Sequence, residues 1–273
     1  MAIEDMTIED MTIEDMAAPS IQPSETPLVL YTLRRADDAL ILGHRLSEWC
    51  GHAPMLEEDM ALANIALDLL GQARELFAYA AKVEGRSNDE DKFAYLRDVR
   101  QYRNLLLTEQ PNGDFARTIV RQFFYSAFAD LYWRAMMTSA DTTLAAIAAK
   151  SEKESAYHLR HSSEWIVRLG DGTEESHRRA QTAIDDLWSF TGEMFAVDDS
   201  ERGLIDAGIA VDPAALRAQW LKTIGDVAGE ATLIVPKNDW MQQGGRVGHH
   251  SEHLGHLLSE LQSMQRTFPG ATW

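Results

Sequence analysis

The chain has 273 residues, of which 45% are hydrophobic, and this is enough to bury one large core. Its 43 acidic residues outnumber the 25 basic ones and give a formal charge of −18 at pH 7. That balance argues against a surface that binds nucleic-acid phosphates or anionic membranes. The single cysteine, Cys50, cannot form a disulfide within the chain. Because no membrane-length apolar run and no signal-peptide pattern is present, we expect a cytoplasmic protein without nucleic-acid or membrane partners.

The N-terminal segment is a short repeat. A five-residue unit, Met-x-Ile-Glu-Asp, occurs three times before Met16. The repeats contain six carboxylates and no basic residue, so the segment repels itself and can bury little apolar surface. We therefore expect a disordered acidic repeat tail over residues 1–26 and one domain over residues 27–273.

Apolar residues recur at helical spacing between turn signals that contain glycine, proline and asparagine. The second predicted helix is apolar on nearly all sides, which suits a helix buried at the centre of a bundle. Asp114 and Thr173 are predicted N-caps. The pattern predicts an all-α fold, a ferritin-like helix bundle with additional helices. The expected helices cover residues 27–49, 55–84, 89–108, 114–138, 142–169, 173–195, 213–232 and 247–267.

Two lines of polar residues at a spacing of four interrupt these helices. A buried carboxylate such as Asp68 requires a metal, a cation or a hydrogen-bond network. We expect the two lines to face each other across the bundle core, and the alternative is that both are solvated faces of amphipathic helices. The lines are Asn64, Asp68 and Gln72 in the second helix and Lys150, Glu154 and His158 in the fifth.

Di-iron carboxylate proteins use Glu-x-x-His pairs, because a spacing of three puts both ligands on one helix face. The mid-helix acids Asp68 and Glu154 are present here, but Gly71 and Tyr157 stand where the histidines are required. His158 lies about 100° round the helix from the required position. The spacing therefore predicts a dismantled site, with no metal and no catalytic residue in this chain.

A strip of arginines runs along the third predicted helix. Arg97, Arg100 and Arg103 follow one another at a spacing of three. Within so acidic a chain they could recognise phosphates such as those of coenzyme A. The alternative is a surface strip that pairs with Asp98 and Glu90.

Histidines provide two further candidate sites. The Glu-x-x-His match at residues 174–177 opens a helix, where acidic residues are expected to complement the helix dipole. The C-terminal cluster could bind zinc or nickel, or could lie at the surface or at a contact between subunits. This cluster contains His249, His250, His253 and His256.

Five segments in chain order resemble the structural C subunits of phenylacetyl-CoA epoxidase, a bacterial multicomponent oxygenase. They are residues 46–54, 62–74, 104–113, 153–160 and 252–255, and the resemblance extends over about residues 28–273. In that family a di-iron A subunit epoxidises the ring of phenylacetyl-CoA with molecular oxygen. A small B subunit and a reductase with FAD and an iron–sulfur cluster, supplied by NADPH, complete the system.

The resemblance implies that this chain pairs with the A subunit, holds no cofactor and supports acyl-CoA binding. It implies substrate-binding residues in two segments, which are Gln101, Tyr102, Arg103 and Asn104 in one and Arg202, Gly203 and Leu204 in the other.

Two alternatives stay open. The chain could be a di-iron oxidase or oxygenase in its own right, with iron bound in an altered arrangement by the remnant residues Glu48, Asp68, Glu154 and His158. It could also be a helical scaffold unrelated to aromatic catabolism.

Overall fold

The computed structural model describes residues 20–237, 240–269 and 271. Within these ranges the fold is all-α, as predicted, and no helix is both long and apolar enough to cross a membrane. The described α-helices are α1 (Pro27–Ser47), α2 (Leu56–Glu84), α3 (Glu90–Tyr95), α4 (Leu106–Glu109), α5 (Phe115–Met136), α6 (Thr142–Gly170), α7 (Glu174–Trp188), α8 (Asp199–Asp206), α9 (Arg217–Glu230), α10 (Glu252–Leu261) and α11 (Ser263–Thr267).

The four long helices form a bundle in which α1 packs on α2, α5 packs on α6, and α2 meets α6. Helix α5 is the central element, since every residue from 118 to 133 is buried. Helices α7 and α9 cover α5 and α6. The predicted N-caps are confirmed, because Asp114 accepts from the Arg117 N–H and Thr173 accepts from the Ser176 N–H.

The prediction that the second helix is buried on all sides is wrong. Leu56, Met60 and Leu67 of α2 are 72%, 59% and 66% exposed. The inner face of α2 meets α1 and α6, and its outer face has no covering element among the described residues. Apolar composition alone did not identify which side of this helix meets the core.

The prediction of a single helix over residues 89–108 is also wrong. The chain forms the short helices α3 and α4 with a 3₁₀ turn, Val99–Gln101, between them. Arg97 is fully buried here and its guanidinium pairs with the buried Asp37 carboxylate, so neither expectation for the arginine strip holds at this residue. Asp37 also accepts from the Arg103 N–H at 2.8 Å, and Asp38 accepts from the Leu105 N–H at 2.8 Å. Carboxylates of α1 thus bind backbone donors of this segment and favour its irregular path.

Helix α8 is absent from the predicted helices, because the pattern Asp198-Asp199-Ser200 is typical of a break. Asp198 is instead its N-cap and accepts from the N–H groups of Ser200 and Glu201. The same carboxylate pairs with Arg34 of α1, and this contact fixes α8 against the bundle.

The acidic repeat lies in residues 1–19, outside the described residues, so its disorder stays a prediction. Residues 20–26, which we assigned to the tail, run along the end of α2 and the segment after it. The Ile21 N–H donates to the Leu96 carbonyl at 3.0 Å, and the Ser24 N–H donates to Glu84 at 2.6 Å.

Replacing Asp37 with alanine is expected to lower the free energy of unfolding by about 3–5 kcal/mol, because Arg97 would remain buried without a counter-charge. Denaturant unfolding followed by circular dichroism measures this loss. Asp226→Ala is the control, since Asp226 pairs with Lys222 on the exposed surface and its loss should be within experimental error. Equal losses for the two variants would contradict the prediction.

Candidate functional site

The two predicted polar lines do face each other, along the line where α2 and α6 pack antiparallel. Their contacts involve ion pairs, imidazoles and one amide. We call this set the α2–α6 ladder. Its rungs are Glu58–His161 at 2.8 Å, Asp68–His158 at 3.0 Å, Gln72–Glu154 at 2.9 Å and Glu75–Lys150 at 2.6 Å.

The ladder lies at the boundary between core and solvent, so neither expectation about its burial is fully correct. His158 and Gln72 are buried, whereas the Asp68 side chain is 37% exposed. Burial raises the pKa of Glu154 above its usual value of 4.5, and the nearby charge of Asp68 acts in the same direction. The hydrogen bond from Gln72 lowers that pKa, because it stabilises the charged carboxylate.

Neutral polar side chains occupy the bundle interior beside the ladder. The Gln122 amide of α5 donates to the Ser126 hydroxyl at 2.9 Å, and both residues are buried. Helix α6 contributes the buried Ser151, Ser155 and Ser162. Within the described residues the carbonyl oxygen of the Gln122 side chain is buried without a hydrogen-bond partner.

The donor set does not fit a dinuclear iron centre. Of the four predicted remnant residues, Asp68, Glu154 and His158 lie together on the ladder. Glu48 does not join them, because it accepts from Arg45 and Asn112 at the C-terminal end of α1, both at 2.8 Å. Within the part of the chain that the structure describes, no group of three or more His, Cys, Asp or Glu is placed to hold a metal ion.

The C-terminal histidines do not share one helix face, because α10 begins only at Glu252. His250 is buried, with Nδ1 2.7 Å from the Glu109 carboxylate and Nε2 3.0 Å from the Tyr102 carbonyl. His250 is therefore a structural link, and the four histidines belong to no group of three or more ligands placed to hold a metal ion among the described residues.

Most of the predicted substrate residues at 101–104 are structural supports. Tyr102 and Asn104 are fully buried. The Tyr102 hydroxyl donates to the Ala94 carbonyl, and the Asn104 amide donates to Glu109 at 2.9 Å. Gln101 donates to the Ile21 carbonyl at 2.6 Å. These three side chains hold the irregular segment to its neighbours.

Arg103 differs from these residues because its half-buried guanidinium meets no carboxylate at hydrogen-bond distance among the described residues. It donates only to the carbonyls of Arg100 and Tyr102, at 2.6 and 2.8 Å. Burial lowers the pKa of this group, although the nearby Asp37 carboxylate acts in the opposite direction.

The second predicted substrate segment lies on α8. The Arg202 side chain is exposed, Gly203 is exposed, and Leu204 packs against the core. This segment and the Arg103 segment are connected indirectly, because Arg246 donates to the Arg103 and Arg34 carbonyls and Arg34 pairs with Glu201. A cavity of about 220 Å³ lies at this connection, lined by Arg34, Glu193, Asp198, Arg246 and Val247 among others.

Sequence reasoning missed this network. Glu193 accepts from the backbone N–H groups of Leu106, Gly244 and Arg246, and the Arg246 guanidinium forms two bonds with Asp38. The sequence did contain a signal for this network, which is a group of four charged residues at 34–35 and 37–38 within a largely apolar stretch of α1.

Comparison with known proteins gives two matches. A family model described as "Phenylacetic acid catabolic protein" matches residues 11–273, which include all the helices and the α2–α6 ladder. The C subunit of the 1,2-phenylacetyl-CoA epoxidase of Escherichia coli (strain K12) is 52% identical over 246 residues, covering 90% of this chain and 99% of that protein.

Replacing Glu154 with glutamine is expected to stabilise the fold increasingly as pH rises. The raised pKa means that the folded chain holds this proton more tightly than the unfolded chain. Stability is therefore lost as pH rises from 4.5 through the raised value. Thermal unfolding between about pH 4 and about pH 8 measures this effect.

The matched variant is Gln72→Leu, which removes the bond that lowers the pKa of Glu154. It should make the loss of stability with pH steeper than in the unaltered chain. A difference in Tm between Glu154→Gln and the unaltered chain that does not change with pH would contradict the assignment.

The two predicted substrate segments should respond differently to truncation. Asn104→Ala is expected to cost about 1–3 kcal/mol of unfolding free energy, because it removes a buried donor to Glu109. Arg202→Ala should leave the unfolding free energy unchanged, since the side chain is exposed. Denaturant titrations of both variants provide the test, and a stable Asn104→Ala protein would argue against a structural role for this residue.

Proposed function

We propose a function on the premise that this chain belongs to the phenylacetic acid catabolic protein family. The proposal is that it serves as a non-catalytic structural subunit of a phenylacetyl-CoA epoxidase in aerobic phenylacetate catabolism. It pairs with a di-iron catalytic A subunit of the same fold. The relative's description as the C subunit of an epoxidase supports this assignment.

One structural observation carries the non-catalytic role. The acids that could bind iron already have partners within the protein, since His158 contacts Asp68 and the Gln72 amide donates to Glu154. A dinuclear site requires carboxylates and imidazoles that converge on the metals. Here the side chains satisfy one another in pairs across two helices.

The proposed complex supplies its cofactors through other subunits. This chain holds none, the A subunit holds the di-iron centre, and a reductase with FAD and an iron–sulfur cluster delivers electrons from NADPH. The assembly, which we assign to the cytoplasm, also contains a small B subunit.

Phenylacetyl-CoA is the proposed ligand that this chain helps to hold. Arg103 and Arg202 are the side chains best suited to its phosphates, because Arg103 has no carboxylate at hydrogen-bond distance among the described residues and the exposed Arg202 pairs only loosely with Asp199, at 3.8 Å. Gln101, Tyr102 and Asn104 keep the Arg103 segment in place, and Gly203 and Leu204 belong to the Arg202 segment.

The test is co-purification with the A subunit, together with iron analysis and an epoxidation assay that contains the B subunit and the reductase. We expect a stable complex, iron in proportion to the A subunit alone, and faster turnover when this chain is added. Glu154→Gln should leave turnover unchanged. The proposal fails if the chain neither binds the A subunit nor alters its activity.

The same assay distinguishes this proposal from the alternative that the chain is a di-iron enzyme in its own right. A di-iron enzyme in its own right would contain about two irons per chain when purified alone. Glu154→Gln would then remove both the iron and the activity.

A further inference from the structure

Arg34 of α1 binds two carboxylates at the start of α8. Its guanidinium pairs with Asp198, the N-cap residue, and donates to Glu201 at 2.7 Å. Arg34 and Glu201 are both buried. Among the described residues, no other side chain of the bundle donates a hydrogen bond to this first turn. We call Arg34, Asp198 and Glu201 the Arg34 latch.

The latch depends on the shape of a guanidinium. Its two Nη groups lie in one plane, and each binds a different carboxylate. A lysine ammonium is a single charge on a flexible side chain, so it would not hold both acids in one orientation. Burial acts to raise the pKa of Asp198, but hydrogen bonds from Arg34 and Ser200 lower it to about 2. The latch therefore stays charged at neutral pH.

Stability alone is a poor explanation for the latch. The Arg34 Nε is buried and has no hydrogen-bond partner among the described residues, which raises the free energy of the folded state. Well-packed apolar residues can often replace a buried ion pair without loss of stability, but they do not fix the orientation of two charged groups. The latch is better explained by the orientation that it gives to α8.

The position of Arg202 follows from the latch, because Arg202 is the next residue after Glu201. At about 100° per residue, the Arg202 side chain leaves the helix about 100° round from the buried Glu201. Its side chain is 65% exposed, and its ion pair with Asp199 is a loose one at 3.8 Å. The Arg202 guanidinium is thus in solvent, while its backbone is held by Arg34.

The main chain of Arg34 is connected to the other predicted substrate segment. The Arg34 carbonyl accepts from the Arg246 guanidinium at 3.1 Å, and the same nitrogen of Arg246 donates to the Arg103 carbonyl at 2.7 Å. Two bonds to Asp38 hold Arg246 in place. Arg34 therefore contacts the Arg202 segment through its side chain and is linked to the Arg103 segment through its backbone.

We infer that Arg34 is a positioning residue for the acyl-CoA ligand. It acts through Arg202, by fixing the start of α8 relative to the Arg103 segment. The inference rests on the proposed function, because that function supplies the ligand and assigns its phosphates to Arg103 and Arg202. Loss of the latch should let α8 move while the four long helices keep their packing.

A double-mutant cycle tests this role. Phenylacetyl-CoA is titrated into the complex of the A subunit with the unaltered chain, Arg34→Lys, Arg202→Ala or the double variant. We expect each single variant to weaken binding about tenfold. Because Arg34 acts through Arg202, adding Arg34→Lys to Arg202→Ala should weaken binding by less than about twofold.

The control is Arg121→Lys, which alters another buried arginine. Arg121 donates to the Gln110 carbonyl and to Asn112, and it has no contact with α8. Arg121→Lys should lower the stability of the fold without changing the affinity for phenylacetyl-CoA. A loss of affinity equal to that of Arg34→Lys would show that general destabilisation explains both results and would contradict the positioning role.

Hydrogen exchange provides a readout that does not depend on the ligand. In Arg34→Lys the amides of α8 should exchange faster, whereas those of α2 and α5 should be unchanged. Glu201→Gln keeps the shape of the side chain and removes its charge, so it should give the same pattern. It takes the place of Arg34→Lys in the cycle if that variant does not fold.

The possible outcomes separate the two proposals. If the unaltered complex does not bind phenylacetyl-CoA, or if Arg202→Ala binds it as tightly as the unaltered chain does, the proposed ligand role is wrong and the inference about Arg34 is wrong with it. If Arg202→Ala weakens binding but Arg34→Lys does not, only the positioning role is wrong. The same holds if Arg34→Lys weakens binding equally with and without Arg202.

Discussion

Two adjacent carboxylates of α1 determine the part of the structure that does not follow helical periodicity. Asp37 pairs with the buried Arg97, and Asp38 forms two bonds with Arg246. Both also accept backbone N–H groups from the segment around residues 103–105. A buried charge without a partner raises the free energy of the folded state, so a path of this segment that broke these contacts would be strongly disfavoured. The position of Glu109 and its link to His250 depend on the same segment.

The bundle keeps a ferritin-like arrangement with protein partners where metal ligands are expected. Along the α2–α6 ladder, imidazole, amide and ammonium groups bind the carboxylates directly. The neighbouring interior contains buried, uncharged serine and glutamine side chains, among which the Gln122 amide donates to Ser126. Such a core is compatible with the fold of the family to which the chain belongs.

The sequence predicted the long helices, their caps and the facing of the two polar lines, because all three depend on local spacing. It did not predict the irregular path near Arg97, since the interactions that fix it come from α1, about 60 residues away along the chain. The exposure of Leu67 was missed because a helix with apolar residues on all sides has the same sequence pattern whether its outer face is buried or exposed. The partial exposure of Asp68 was missed because spacing does not locate the edge of a core.

The contact between Gln72 and Glu154 joins two groups of unequal chemistry. The Gln72 amide neither gains nor loses a proton under physiological conditions, so it stays a donor at every pH at which the chain is folded. Any change in this contact therefore comes from titration of the Glu154 carboxylate or from movement of α2 relative to α6.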